Sequence, residues 1–104
     1  MQIQFNTDSY IEGRDELARW VENSVAAFLG RFGERVTRVE AHLSDINAHK
    51  IGQDDIRCLL EARPAGLKPV AVSHRADSVE QAVNGAAEKL KRALDSTFSR
   101  LENR

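Results

Sequence analysis

Residues 68–101 read KPVAVSHRADSVEQAVNGAAEKLKRALDSTFSRL, and their hydrophobic period changes at Asp77. Before it, Val70 and Val72 alternate with smaller or polar neighbours, the two-residue period of a strand within Lys68 to Ala76. After it, Val79, Ala82, Val83, Ala86, Leu90, Ala93, Leu94, Phe98 and Leu101 recur at three- and four-residue steps. That spacing predicts one amphipathic helix from Ser78 to about Leu101 with its apolar stripe in a core. Asp77 with Glu80, or Ser78 with Gln81, has the cap-and-reach-back spacing that satisfies free amide groups at a helix start. Pro69 falls near the start of the strand, where a missing donor costs least.

The rest of the chain extends this pattern towards the N-terminus. Pro64-Ala65-Gly66-Leu67 is a turn by composition. Ile56 to Arg63 alternates, with Cys58, Leu60 and Ala62 inward and Arg57, Leu59, Glu61 and Arg63 outward. Asn47 to Asp55 reads as a polar loop. Val36 to Ile46 alternates as well, with Thr37, Val39, Ala41 and Leu43 on one face and Arg38, Glu40, His42 and Ser44 on the other. Arg14 to Phe32 places Leu17, Val21, Val25, Phe28, Leu29 and Phe32 on one helical face. Asp15 and Glu16 suit the positive end of its dipole, and Gly33 serves as its stop. Met1 to Asn6 alternates again, with Ile3 and Phe5 on the buried side, and Thr7 to Gly13 is a polar connection.

The order is therefore β-α-β-β-β-α, an α+β fold with a four-stranded sheet and both helices on one face. A right-handed first crossover makes the first two strands parallel, and the others follow as antiparallel hairpins. The remaining sheet face is left to solvent. The 104 residues suit a single domain, 1–104.

Composition narrows the function. Apolar content of 41% and charged content of 30% describe a soluble globular protein. One cysteine, Cys58, allows no internal disulfide and fits a reducing, cytoplasmic setting. No apolar run approaches the ~20 residues that cross a bilayer, and residues 1–12 lack the basic start and apolar centre of a signal peptide. The net charge of −1 argues against indiscriminate nucleic-acid binding. The charge is uneven, however: six Lys/Arg face eight Asp/Glu in residues 1–52, and five face three from Glu88 onward. Any anion-binding surface must be local.

The last helix supplies the candidates Lys89, Lys91, Arg92 and Arg100. Lys89, Arg92 and Arg100 share roughly one helical face and could hold phosphate oxygens. Their ordinary explanation is a solvated face with Glu88 and Asp95 as ion-pair partners. Arg38 and Arg57 on the open sheet face are secondary candidates, although cross-strand pairing with Glu40 and Glu61 explains such residues without a ligand. Arg31 and Arg35 complement the dipole at the end of the first helix. Trp20 reads as core-edge packing. His42, His49, His74, Cys58 and Asp45 match no zinc spacing. His74 shares a face with Cys58, but no orienting group or oxyanion donor completes a catalytic pair. No metal, cofactor or small-molecule substrate is expected, and no enzymatic activity.

The opening strand Met1-Gln2-Ile3-Gln4-Phe5, the segment Leu17-Ala18-Arg19-Trp20-Val21, and Ala82-Val83, Lys89-Leu90 and Arg92-Ala93-Leu94 in the last helix carry a resemblance. Over essentially its whole length the chain resembles the bacterial ribosome hibernation-promoting factor and ribosome-associated inhibitor A family. The resemblance implies a fold like that of double-stranded-RNA-binding domains. It also implies a stress-response task in translation regulation: occupying the messenger and transfer RNA channel of the small ribosomal subunit through ribosomal RNA contacts. The family's basic helix positions are matched here by Lys89 and Arg92, whereas Lys91 and Arg100 come from the local charge pattern. Asp95, Ser96, Ser99 and Glu102 stand where bases are common in the family, and Glu80 where an aromatic is usual. The chain stops after the helix with no long extension carrying a dimerisation domain, which argues against ribosome pairing through a second domain; a monomer is favoured. The alternative is a non-ribosomal protein-interaction or regulatory module with the same fold.

Overall fold

The computed structural model describes residues 1–7, 14–45 and 56–102. The loop read at Asn47 to Asp55, with Ile46, His49 and the connection after Thr7, lies outside the described residues. Strand β1 (Gln2–Thr7) is followed by helix α1 (Arg14–Leu29), a 3-10 segment (Gly30–Arg35), strands β2 (Val36–Asp45), β3 (Ile56–Pro64) and β4 (Val70–Ala76), and helix α2 (Val79–Glu102). The sheet order is β1-β2-β3-β4, with β1 parallel to β2 and both later pairs antiparallel. This is the β-α-β-β-β-α topology that the alternation predicts.

One strand parity is committed to the core. Val39, Ala41, Leu43, Cys58, Leu60 and Ala62 are buried on the helix-facing side, together with Val21, Val25 and Leu29 of α1. Ala82, Val83, Ala86, Ala87, Leu90, Leu94 and Phe98 form the matching stripe of α2. Ser78 caps that helix: its Oγ accepts a hydrogen bond from the Gln81 amide at 3.2 Å, which selects the Ser78–Gln81 spacing over Asp77–Glu80. Gly66 turns the chain between β3 and β4 with φ +74°, and the Leu67 amide donates to the Pro64 carbonyl at 3.2 Å.

Three details depart from the sequence expectation. Thr37 is exposed and Val36 is fully buried in its place, because the β2–β3 register shifts between Val36 and Arg38. A bulge sets two residues against one and reverses the parity of everything before it. The Thr37 hydroxyl instead donates to the Arg63 carbonyl at 3.0 Å. Helix α1 ends at Leu29 and not at Phe32, since the chain tightens into the 3-10 segment before Gly33 takes φ +53°. Phe32 remains buried, with its ring 5.5 Å from that of Phe98. Leu101, counted in the α2 stripe, is exposed in the last turn.

Helix α2 approaches β4 closely at Gly85, where the His74 ring lies against the helix backbone. A Cβ at residue 85 would stand 2.1 Å from His74 Cδ2, far inside contact distance. Glycine within a helix forgoes about 1 kcal/mol of propensity relative to alanine, so its place here is steric. Gly85→Ala should lower the urea midpoint, since overpacking a filled site costs about 1–3 kcal/mol. Adding His74→Ala should return part of that loss. A Gly85→Ala protein as stable as the parent would refute the contact.

Candidate nucleic-acid interface

The six cations singled out by sequence occupy four different settings. The Lys89 ammonium donates to the Ser73 carbonyl at 3.0 Å and so lies over the outer edge of β4. Arg100 is eleven residues further along, about three turns, and therefore follows the same flank. It borders an apolar groove of about 680 Å3 between Leu67, Pro69 and Val70 and the end of α2. Arg92 projects away from the sheet, 78% exposed, and its Nε pairs with Glu88 at 3.2 Å. Lys91 lies roughly 200° round the helix from Lys89, half-buried in a groove with Ala27, Phe28 and Arg31. The basic residues of α2 thus divide between its two flanks and its outer face, and do not form one patch.

The other two candidates lie on the open face of the sheet. Arg38 is held by Glu40 at 2.6 Å, two residues along the same strand, and donates across to Gln4 of β1, so its charge partner lies within β2 and not across the strands. Arg57 is exposed, and the register sets it opposite Ser44 on one side and Arg75 on the other. Arg75 was not legible as a site residue in the chain, because only the β3–β4 register brings it to Arg57. Counting back symmetrically from the Pro64–Leu67 turn would set His74 opposite Arg57, one residue short of the actual register.

Asp95, expected to trim the Lys89 face, instead forms an ion pair with Arg31 across the helix seam. Arg35 reaches Glu102 at 3.3 Å. Both guanidiniums also cover aromatic rings, Arg31 over Phe32 at 5.0 Å and Arg35 over Phe98 at 3.8 Å. Such contacts are worth about 0.5–1 kcal/mol at exposed sites. Arg31 and Arg35 therefore tie the 3-10 segment to α2, a structural role beyond the dipole. Trp20 packs at the edge of the core as expected.

Residues 3–102 match the family described as Sigma 54 modulation protein / S30EA ribosomal protein. The chain belongs to this family. Its members are ribosome-associated factors, and it is not a known enzyme family. Among solved structures, the N-terminal domain of Thermus thermophilus Protein Y superposes with a TM-score of 0.72 at 17% identity, covering 93% of this chain and 99% of that one. A ribosomal subunit interface protein from Coxiella burnetii gives 0.66 at 13% identity, covering 95% and 99%. At these identities the likeness is one of fold. No curated protein matches the sequence.

Within this ribosome-associated fold, Cys58 and His74 are directly opposed on β3 and β4, on the helix-facing side. Cys58 is fully buried, and burial pushes its thiol from the ordinary 9.0 up to about 12. A thiol so raised carries almost no thiolate near neutrality and is a core residue. The native protein should resist alkylation by iodoacetamide at pH 8 and react promptly once unfolded in urea. Between pH 9 and about 12 the unfolded thiol loses its proton while the folded one keeps it, so stability should fall as pH rises through that window. Rapid native alkylation, or no added loss relative to Cys58→Ala, would contradict this placement.

Proposed function

We propose that the chain is a cytoplasmic translation-silencing factor that occupies the messenger and transfer RNA channel of the small ribosomal subunit. The family match across residues 3–102 carries this reading. The fold acts as one domain and as a monomer, filling the channel by shape. Phosphate contacts supply affinity without base recognition. Lys89 and Arg92 are the family's helix positions in this chain, with Lys91, Arg100, Arg38 and Arg57 as further contacts. The mechanism is steric occlusion and requires no cofactor or bond chemistry.

One observation favours a second reading. Glu88 already neutralises Arg92, and Glu40 neutralises Arg38. A protein-interaction module that keeps the fold without ribosome binding would tolerate such pairing. Sedimentation with purified small ribosomal subunits separates the two. Six phosphate contacts predict an affinity loss on the order of 1,000-fold between ~50 and ~200 mM salt. Lys89→Glu/Arg92→Glu should weaken binding by at least ~10-fold and lower the log–log salt slope by about 2. Absence of co-sedimentation at ~50 mM salt would leave the interaction-module reading.

A further inference from the structure

We propose that the RNA backbone is gripped at the β4 edge of the sheet, by Arg57 and Arg75 on the open face together with Lys89 reaching over from α2. This rests on the ribosomal reading above but moves the principal phosphate site off the outer face of the helix.

The argument begins with a charge arrangement that folding alone does not favour. Arg57 and Arg75 are direct partners in the antiparallel β3–β4 pair, both exposed on the same face. Like charges directly opposed on neighbouring strands destabilise the pair. Elsewhere on this face the sheet compensates its charges. Arg38 has Glu40 at 2.6 Å, Arg63 has Glu61 at 3.6 Å, and His42 lies 3.8 Å from Glu40. No such ion pair is formed by Arg57 or Arg75 among the described residues.

Among the described strand residues, the register keeps Glu40 and Glu61 away from them. Glu61 is four residues from Arg57 along β3, about 13 Å at strand rise, and Glu40 is opposite Glu61. That separation exceeds the ~8 Å screening length at physiological salt. The row between them is His42, Leu59 and Ser73, which carries no carboxylate. Ser44, the other neighbour of Arg57, is neutral, and Asp45 falls on the opposite parity beside Ile56. Asp77, two residues beyond Arg75, has an interaction of its own.

Lys89 completes the group from a third element. Its Nζ is bonded to the carbonyl of Ser73, two residues before Arg75 and about 6–7 Å along the strand. An ammonium has three donors, so two remain for a ligand. The band runs from the open face round the strand edge to the flank of α2. It suits an extended polyanion with repeated phosphates better than a small enclosed anion. Guanidiniums bind phosphate oxygens in a fork, and among the described residues of this face no Phe, Tyr or Trp offers a base a stacking surface. The ligand class is therefore an RNA backbone, held without base readout.

The test uses the full chain with Arg57→Ser, Arg75→Ser, both together, and Arg63→Ser for comparison. Either single change should raise Tm in the absence of ligand, because it relieves the opposed charges. The double variant should bind small ribosomal subunits at least ~10-fold more weakly at ~100 mM salt, with a salt slope lower by about 2. Arg63→Ser should change affinity by less than ~3-fold, since Glu61 at 3.6 Å already offsets its charge on the same sheet face. A double variant that sediments like the parent overturns the site and leaves the ribosomal reading intact. If the parent itself does not sediment, the ribosomal reading falls, and thermal shifts with sodium pyrophosphate at fixed ionic strength judge the site. A rise in the parent that is absent from the double variant supports the anion grip; equal shifts in both overturn it.

Discussion

The seating of α2 against β3 and β4 is the contact on which the remaining arrangement depends. It covers one strand parity and fixes where every side chain of the other parity must go. Ala82, Ala86 and Ala87 keep the helix close, and Gly85 lets the His74 ring fit beneath it. That proximity brings Lys89 within hydrogen-bonding distance of the β4 edge. A bulkier residue at position 85 would lift the helix and carry the lysine away from the strand. Core packing and the placement of a surface cation are thus consequences of the same close approach.

The opposite flank of α2 is fastened differently. Phe32 and Phe98 meet in a tilted pair, and Arg31 and Arg35 lie over their rings while pairing with Asp95 and Glu102. Each surface ion pair alone contributes little. Stacked on buried aromatic rings, they close the seam between the 3-10 segment and the end of α2. The acidic residues Asp95 and Glu102 of α2 therefore have structural partners. Asp95 and Glu102 remove positive charge from this flank and use it to hold the helices together.

Most of the fold was legible because strands and helices here obey clean periods. Leu60 and Leu90 could be placed in the core from spacing alone. Thr37 could not, since a bulge is a single extra residue that leaves no mark in the alternation before it. The end of α1 was misplaced for a related reason: Phe32 continues the apolar period although the backbone has already tightened. The candidate site was less legible than the fold. Lys89 and Lys91 are near neighbours in sequence yet lie on opposite flanks, whereas Arg57 and Arg75 are distant in sequence and meet across a hairpin. Linear charge counting weighs the first pair too heavily and overlooks the second.

A net charge of −1 does not prevent such a chain from holding a polyanion, because charges act over the screening length and not over the whole molecule. What matters is which cations keep a carboxylate within that distance. Arg38, Arg63 and Arg92 do, and their positive charge is largely cancelled where it stands. Arg57 and Arg75 are separated from Glu40 and Glu61 by a row without carboxylates. Folding stability alone would favour an acid at one of those two positions. A polyphosphate ligand would supply that negative charge from outside, so the energetic cost of the opposed arginines in the free protein becomes a contribution to binding.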